Sequence, residues 1–172
     1  MRVVAGIAKG RPLRAPKGDA TRPTSDVVRE AIFNTLAAYL DLDGATVLDV
    51  FAGTGALGIE ALSRGAAHAT FVEHNRQAVA ALRDNLDKTG FSAHATVLQA
   101  DATKAALPAA DLAFADPPYA FAGWPALLPR LRAGLVVVES DREVEPRPGW
   151  RVLKTKRYGS TVVTLTSPEA ES

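Results

Sequence analysis

The stretch LDVFAGTGALGIEALSRGA at residues 48–66 joins a short apolar run to a glycine-rich turn and then to a helical pattern. A turn of this kind, at the carboxyl end of a buried strand and the start of a helix, is where open α/β sheets bind ligands. Glycine suits it because a Cβ would hold a ligand away from the backbone. On either side the chain alternates between β-branched runs and longer helical patterns. Strands are predicted at Thr46–Phe51, Ala69–Glu73, Thr96–Gln99, Leu112–Ala115, Leu135–Glu139, Arg151–Lys156 and Val162–Thr166, and helices at Ala56–Arg64, Arg76–Lys88, Ala102–Leu107 and Trp124–Arg132. This order predicts an α/β domain with a mostly parallel sheet covered on both faces. Only Arg157-Tyr158-Gly159-Ser160 and Thr161 separate the last two strands. That is too short for a parallel crossover, so those strands should pair antiparallel.

Ahead of this unit, residues 2–7 and 11–15 read as a β-hairpin turning at Ala8-Lys9-Gly10, followed by a basic loop through Lys17 to Pro23. An amphipathic helix is predicted from Ser25 to Leu40, with Thr24 or Ser25 as N-cap. Residues 1–24 thus form an extension, 25–168 the main domain and 169–172 a loose tail. The 172 residues, 47% of them hydrophobic, suffice for one core. There is no cysteine, which removes disulfides, thiolate catalysis and Cys-ligated metal. No apolar run approaches the ~20 residues of a membrane span, and the first ten residues lack the apolar stretch of an export signal. A cytoplasmic protein is expected.

Net charge is only +1, but it is segregated. Residues 1–29 carry seven basic and two acidic side chains, residues 150–158 add +4, and residues 30–149 hold nine basic against fifteen acidic ones. Such segregation often means only solvated faces. It also fits a phosphate-contacting surface beside a site that holds a cation. Arg2, Lys9, Arg11, Arg14, Lys17, Lys154, Lys156 and Arg157 are the candidate phosphate contacts.

The glycine turn matches G-x-G-x-x-G, and Glu73 lies twenty residues beyond Gly53, placed to bind ribose hydroxyls. A nicotinamide dinucleotide is therefore one reading, and a tight turn without a ligand is the bland one. Asp49 separates the first from its rival. A carboxylate four residues before Gly53 would repel a pyrophosphate, but it suits a ligand with an ammonium and a sulfonium, as S-adenosylmethionine has. Asp101, after the third strand, is in register to accept from the adenine amino group, although acids at such positions often only cap. The expected cofactor set is Asp49, Phe51, Ala52, Gly53, Thr54, Gly55, Glu73, His74, Asp101, Ala102 and Asp116. His68, His74 and His94 have no metal-ligand spacing, and no metal is expected.

The fourth strand ends in Asp116-Pro117-Pro118-Tyr119. Paired prolines after a strand can be a simple stop signal. Beside a glycine loop in a doubly wound sheet they suggest chemistry. An exocyclic amine on a purine is a poor nucleophile because its lone pair is delocalised into the ring. If the Asp116 carboxylate and the Pro117 carbonyl each accept one N–H, the nitrogen can pyramidalise toward a sulfonium methyl. Tyr119 would stack on a splayed-out base at ~1–3 kcal/mol. Asp116, Pro117, Pro118 and Tyr119 are therefore the candidate catalytic residues. An RNA-binding module without activity is the non-enzyme alternative.

The motifs LDVFAGTGALGIEALSRGA (48–66), FVEHNRQAVAALRDNL (71–86), FADPPY (114–119), RPTSDVVREAIFN (22–34) and KRYGSTVVTL (156–165) together resemble the bacterial small-subunit (16S) ribosomal RNA guanine-N2 methyltransferases of the RsmD type. Asp-Pro-Pro-Tyr alone is shared with adenine-N6 enzymes acting on RNA or DNA, so the Arg-Pro-Thr and Lys-Arg-Tyr-Gly segments make the resemblance specific. It implies a seven-stranded Rossmann-like methyltransferase sheet, S-adenosylmethionine as donor, and a guanine of ribosomal RNA in the assembling small subunit as substrate, with the chain expected to act as a monomer. It further implies that Arg22, Pro23 and Thr24 fold over the cofactor and the catalytic loop.

Overall fold

A computed structural model describes residues 1–16 and 24–170. Seven strands, β1 (Thr46–Val50), β2 (His68–Glu73), β3 (Ala95–Gln99), β4 (Ala110–Ala115), β5 (Ala133–Ser140), β6 (Trp150–Tyr158) and β7 (Thr161–Pro168), form one sheet in the order β3-β2-β1-β4-β5-β7-β6. The first five are mutually parallel. β7 runs antiparallel to both β5 and β6, and only Gly159-Ser160 join β6 to β7, too short a link for a parallel crossover. The order reverses between β1 and β4, which opens a crevice above their carboxyl ends.

Helices α1 (Asp26–Leu36), α2 (Ala56–Ser63) and α3 (Arg76–Thr89) cover one face of the sheet through Phe33, Ile59, Leu82 and Leu86 against Val47, Phe71 and Phe114. The opposite face packs Leu48, Val50, Ala113 and Val136 against Trp124, Leu127 and Leu131. α3 shows why its bounds are sharp. The Asn75 side chain accepts from the Ala78 amide, and Gly90 ends the helix in the left-handed conformation. α1 begins as expected, with the Ser25 hydroxyl accepting from Val28, but stops at Leu36 and continues only as turns to Tyr39.

Two predicted helices are overturned in part or whole. Residues 102–107 form turns, because Asp101 Oδ1 accepts from both the amide and the hydroxyl of Thr103, and Pro108 closes the segment after one turn's length. The predicted helix 124–132 shortens to α4 (Trp124–Leu127) and a 3₁₀ turn at Leu128–Arg130, because Pro129 has no N–H to donate to the carbonyl four residues back and its ring crowds that carbonyl.

The N-terminal hairpin is short. Gly10 N–H donates to Val3 C=O and Val3 N–H to Arg11 C=O, around a single bridge between Arg2 and Pro12. Its other amides turn inward: Val4 and Ala5 donate to the Glu60 carboxylate at 2.8 and 3.0 Å. Glu60 is fully buried and also meets Arg29 Nε at 3.4 Å and Arg64 Nε at 2.9 Å. Arg29 is itself fully buried, so one of the seven N-terminal basic residues is a structural tie and not surface charge. Unpairing either partner would leave a buried charge, which is costly.

Candidate active site

The strand order and the acidic residues converge on one cleft of about 450 Å³, a volume in the range of small-molecule sites. Its walls include Asp49, Phe51, Ala52, Gly53, Thr54, Glu73, His74 and the whole tetrad Asp116-Pro117-Pro118-Tyr119. Asp49 and Ala115 sit on adjacent parallel strands, with Val50 opposite Ala115, so β4 delivers Asp116 directly beside the glycine turn.

Two glycines hold the turn in shape. Gly55 has φ +83, and a Cβ there would come within 2.2 Å of Leu82 Cδ1. A Cβ on Gly58 would lie 2.3 Å from the Phe71 ring, so its absence lets α2 seat closely on β2. Phe51 adopts φ 56, a left-handed conformation that costs a non-glycine residue about 1–3 kcal/mol and tends to occur at binding sites. Its ring meets Phe121 at 5.2 Å, and Phe121 meets Trp124 at 5.1 Å, both edge-on.

The acids are held by backbone donors. Asp49 is buried, and its Oδ2 accepts from the Gly58 amide at 3.0 Å. Burial pushes its carboxyl well above the ordinary carboxylate range; the Gly58 N–H opposes this, and the nearby Asp116 and Glu73 add like-charge repulsion. Glu73 bridges the two loops, accepting from Gly53 N at 3.0 Å through Oε1 and from Asn75 N at 2.8 Å through Oε2. His74, exposed, stands 3.5 Å from Glu73. Among the described lining residues there is no Lys or Arg. A cation in this cleft meets Asp49, Glu73 and Asp116. The donor set fits S-adenosylmethionine.

In the tetrad, Asp116 is half-buried, Pro117 buried and Pro118 exposed. The Pro118 carbonyl accepts from Phe121 N at 2.9 Å. Thr24 Oγ1 lies 3.3 Å from Asp116 Oδ2 and 3.3 Å from Glu139 Oε2. This places Thr24 against the 116–119 loop.

Three expected members lie apart from the cleft walls. Gly55 begins α2 behind the turn, Asp101 is exposed with its carboxylate held by Thr103, and Ala102 is buried in the opposite core. The Thr103 hydrogen bonds hold the Asp101 carboxyl below the ordinary range. Arg22, Pro23 and Lys17 lie outside the described residues.

The sequence reading missed Met1, Ala15, Ala56, Leu57 and Asn75, which also line the cleft, and the buried Glu139 at the end of β5. Glu139 had a legible signal. It follows the apolar run Val136-Val137-Val138, just as Asp116 follows Ala113-Phe114-Ala115.

Of the expected phosphate contacts, Lys154, Lys156 and Arg157 project from β6, the exposed edge strand. Lys156 Nζ sits 5.1 Å from the Tyr158 ring centroid. Arg2, Lys9, Arg11 and Arg14 are exposed on the N-terminal segment, where Arg2 approaches Asp26, Arg14 approaches Asp84, and Arg11 donates to the Lys88 carbonyl. α1 lies between these two groups, contacting Arg2 through Arg29 and Asp26 and facing Lys154 and Lys156 through Ile32 and Thr35.

Known proteins share this arrangement. Residues 1–167 match the family described as "Conserved hypothetical protein 95". The Bacillus subtilis protein named "Putative rRNA methyltransferase YlbH" is 41% identical over 96% of this chain and 97% of its own length. The "Ribosomal RNA small subunit methyltransferase D" of Haemophilus influenzae is 35% identical over 70% of this chain and 65% of its own. The chain belongs to this RsmD-type family. Its sheet is that of the S-adenosylmethionine-dependent methyltransferases: the solved Escherichia coli structure titled "Putative methyltransferase yhhF" superposes with a TM-score of 0.85 at 34% identity, covering 99% of both chains. Among the described residues no helix is long and apolar enough to cross a membrane, and no group of three or more His, Asp or Glu side chains could hold a metal ion.

Proposed function

We propose that this chain methylates ribosomal RNA, and specifically that it transfers the methyl group of S-adenosylmethionine to the exocyclic N2 amine of a guanine in small-subunit ribosomal RNA. The observation that carries this reading is the presence of Asp116-Pro117-Pro118-Tyr119 in the wall of the same acid-lined cleft as Asp49 and Glu73. Methyl transfer is the activity for which the relatives are named, and their names supply the ribosomal substrate.

The cofactor supplies an electrophilic methyl carbon. Asp49 and Glu73 would hold its cationic and ribose portions, and the glycine turn would admit it to the backbone. Asp116 Oδ and the Pro117 carbonyl would accept the two N–H bonds of the amine and aim its lone pair into the cleft. Once methylated, the nitrogen is acidic, and Asp116 would take the proton it releases. Tyr119 stacks on the base, which must leave its helix to reach the cleft. Lys154, Lys156, Arg157 and the N-terminal Arg2, Lys9, Arg11 and Arg14 contact phosphates.

Incubation with methyl-labelled cofactor and unmodified small-subunit RNA, followed by digestion and mass spectrometry of the nucleosides, tests the assignment. N2-methylguanosine is the expected product. N6-methyladenosine would establish the alternative target, and unlabelled RNA would overturn the reading.

A further inference from the structure

The segment Lys156-Arg157-Tyr158-Gly159-Ser160-Thr161 helped to mark the family in the sequence, yet nothing in the methyl transfer described above uses its turn. In the structure that turn reaches the catalytic loop. Tyr119 Oη lies 2.9 Å from Thr161 Oγ1 and 3.1 Å from Ser160 Oγ, across forty-one and forty-two residues of chain. A phenol donates one hydrogen bond and accepts others, so the two hydroxyls can each serve it in a different role.

The turn is a firm support. Gly159 takes φ +59 at the first turn position, Tyr158 pairs with Thr161 across the hairpin, and Val162 pairs in turn with Ser140 of β5. Thr161 is buried, whereas Tyr119 is half-buried and lines the cleft. The prolines at 117 and 118 fix the backbone ahead of Tyr119 but do not themselves set its side-chain torsions.

We propose that Ser160 and Thr161 are positioning residues of the base-binding loop: their hydroxyls anchor the far end of the Tyr119 ring and hold its face in the orientation that stacks on the target base. The same hairpin carries Lys154, Lys156 and Arg157 on β6, so the hairpin that grips RNA is also the one that aims the aromatic platform. This inference rests on the proposed role of Tyr119 and extends it to the turn.

The test is a thermodynamic cycle on the full chain, comparing Tyr119→Phe, the pair Ser160→Ala with Thr161→Val, and all three substitutions together. Tyr119→Phe and the pair should each lower kcat/KM for RNA about five- to tenfold, consistent with the loss of one or two neutral hydrogen bonds, while cofactor affinity stays within about twofold. The triple variant should be no worse than Tyr119→Phe alone. Losses that multiply in the triple variant, or full turnover by the pair, would overturn the proposal. Hydrogen exchange at amides 119–123 reads the anchor without activity and should speed up in the pair. Faster exchange in the pair, with no RNA methylation by the unmodified chain, would retain the anchor and reject the functional reading; unchanged exchange with active enzyme would reject the anchor alone.

Discussion

At the carboxyl ends of β1, β2 and β4 the acidic side chains are buried or half-buried, with Asp49 and Glu73 held by the amides of Gly58, Gly53 and Asn75. Along β6 the basic side chains of Arg151, Lys154, Lys156 and Arg157 stand exposed, with no ion pair among the described residues. The difference follows from what each charge has to meet. A small cationic ligand with fixed geometry is served by preorganised carboxylates in a site from which water is largely removed. A polyanion with evenly spaced phosphates is served by long, adaptable side chains in solvent, at the cost of strong screening by salt. The edge charges have a structural use as well, because Lys and Arg on an exposed edge strand discourage pairing with another chain.

The sharpest way to break this division is at Asp116. Asp116→Ala should lower methyl transfer about a hundred- to ten-thousandfold, the span associated with positioned acid–base groups, with a far smaller loss of cofactor affinity in titration calorimetry. Normal turnover would remove Asp116 from the mechanism. Next in size is the edge. Replacing Lys154, Lys156 and Arg157 together by Ala should weaken RNA binding at least tenfold and flatten the slope of log affinity against log salt by about two to three, roughly one per lost phosphate contact. An unaltered slope would show that these residues serve only the edge.

Asp49 sharpens the other side of the comparison through pH. Its carboxyl is raised by burial, with Asp116 and Glu73 adding to the shift, so the native chain retains a proton that the unfolded chain releases near the ordinary value of about 3.9. The stability contributed by that proton is fully present below the unfolded value and is lost as pH rises through the folded one. Asp49→Asn keeps an acceptor for Gly58 without the buried charge, and should raise the melting temperature at pH 7–8 by about 2–6 °C. The same change should weaken cofactor binding about tenfold, since it removes a charge that the cation would pair with. In the unaltered protein a cationic ligand favours the ionised form, so binding should release protons and tighten as pH rises. Calorimetry in two buffers of different ionisation enthalpy reads that release. A smaller effect is expected at Gly58→Ala, where the new methyl meets Phe71 and should lower stability by about 1–3 kcal/mol, measured by urea unfolding.

Much of the fold could be read directly from the sequence where local signals and burial agree. The β1 turn and α2 were legible because an apolar strand, three glycines and a helical pattern follow one another within nineteen residues. α3 was placed to within a residue by Asn75 and Gly90. Reading failed where a side chain outcompeted the expected backbone pattern: Asp101 with Thr103, Pro129 within a helical run, and Glu60 drawing off the amides of Val4 and Ala5. The acids at the strand ends are visible as Asp49, Glu73 and Asp116; Glu139 carries the same signal, an acid after an apolar run, but without the glycines or prolines that mark the others. The meeting of Tyr119 with Ser160 and Thr161 depends on strand order, with β7 inserted between β5 and β6, and periodicity does not specify that order.

The most direct test of the division between cleft and edge is a pair of reciprocal titrations, each ligand against each variant. Asp49→Asn should lose affinity for S-adenosylmethionine while binding RNA like the unaltered chain, and the Lys154, Lys156 and Arg157 triple variant should do the reverse. Loss of both affinities in either correctly folded variant, or of neither in both, would contradict the account.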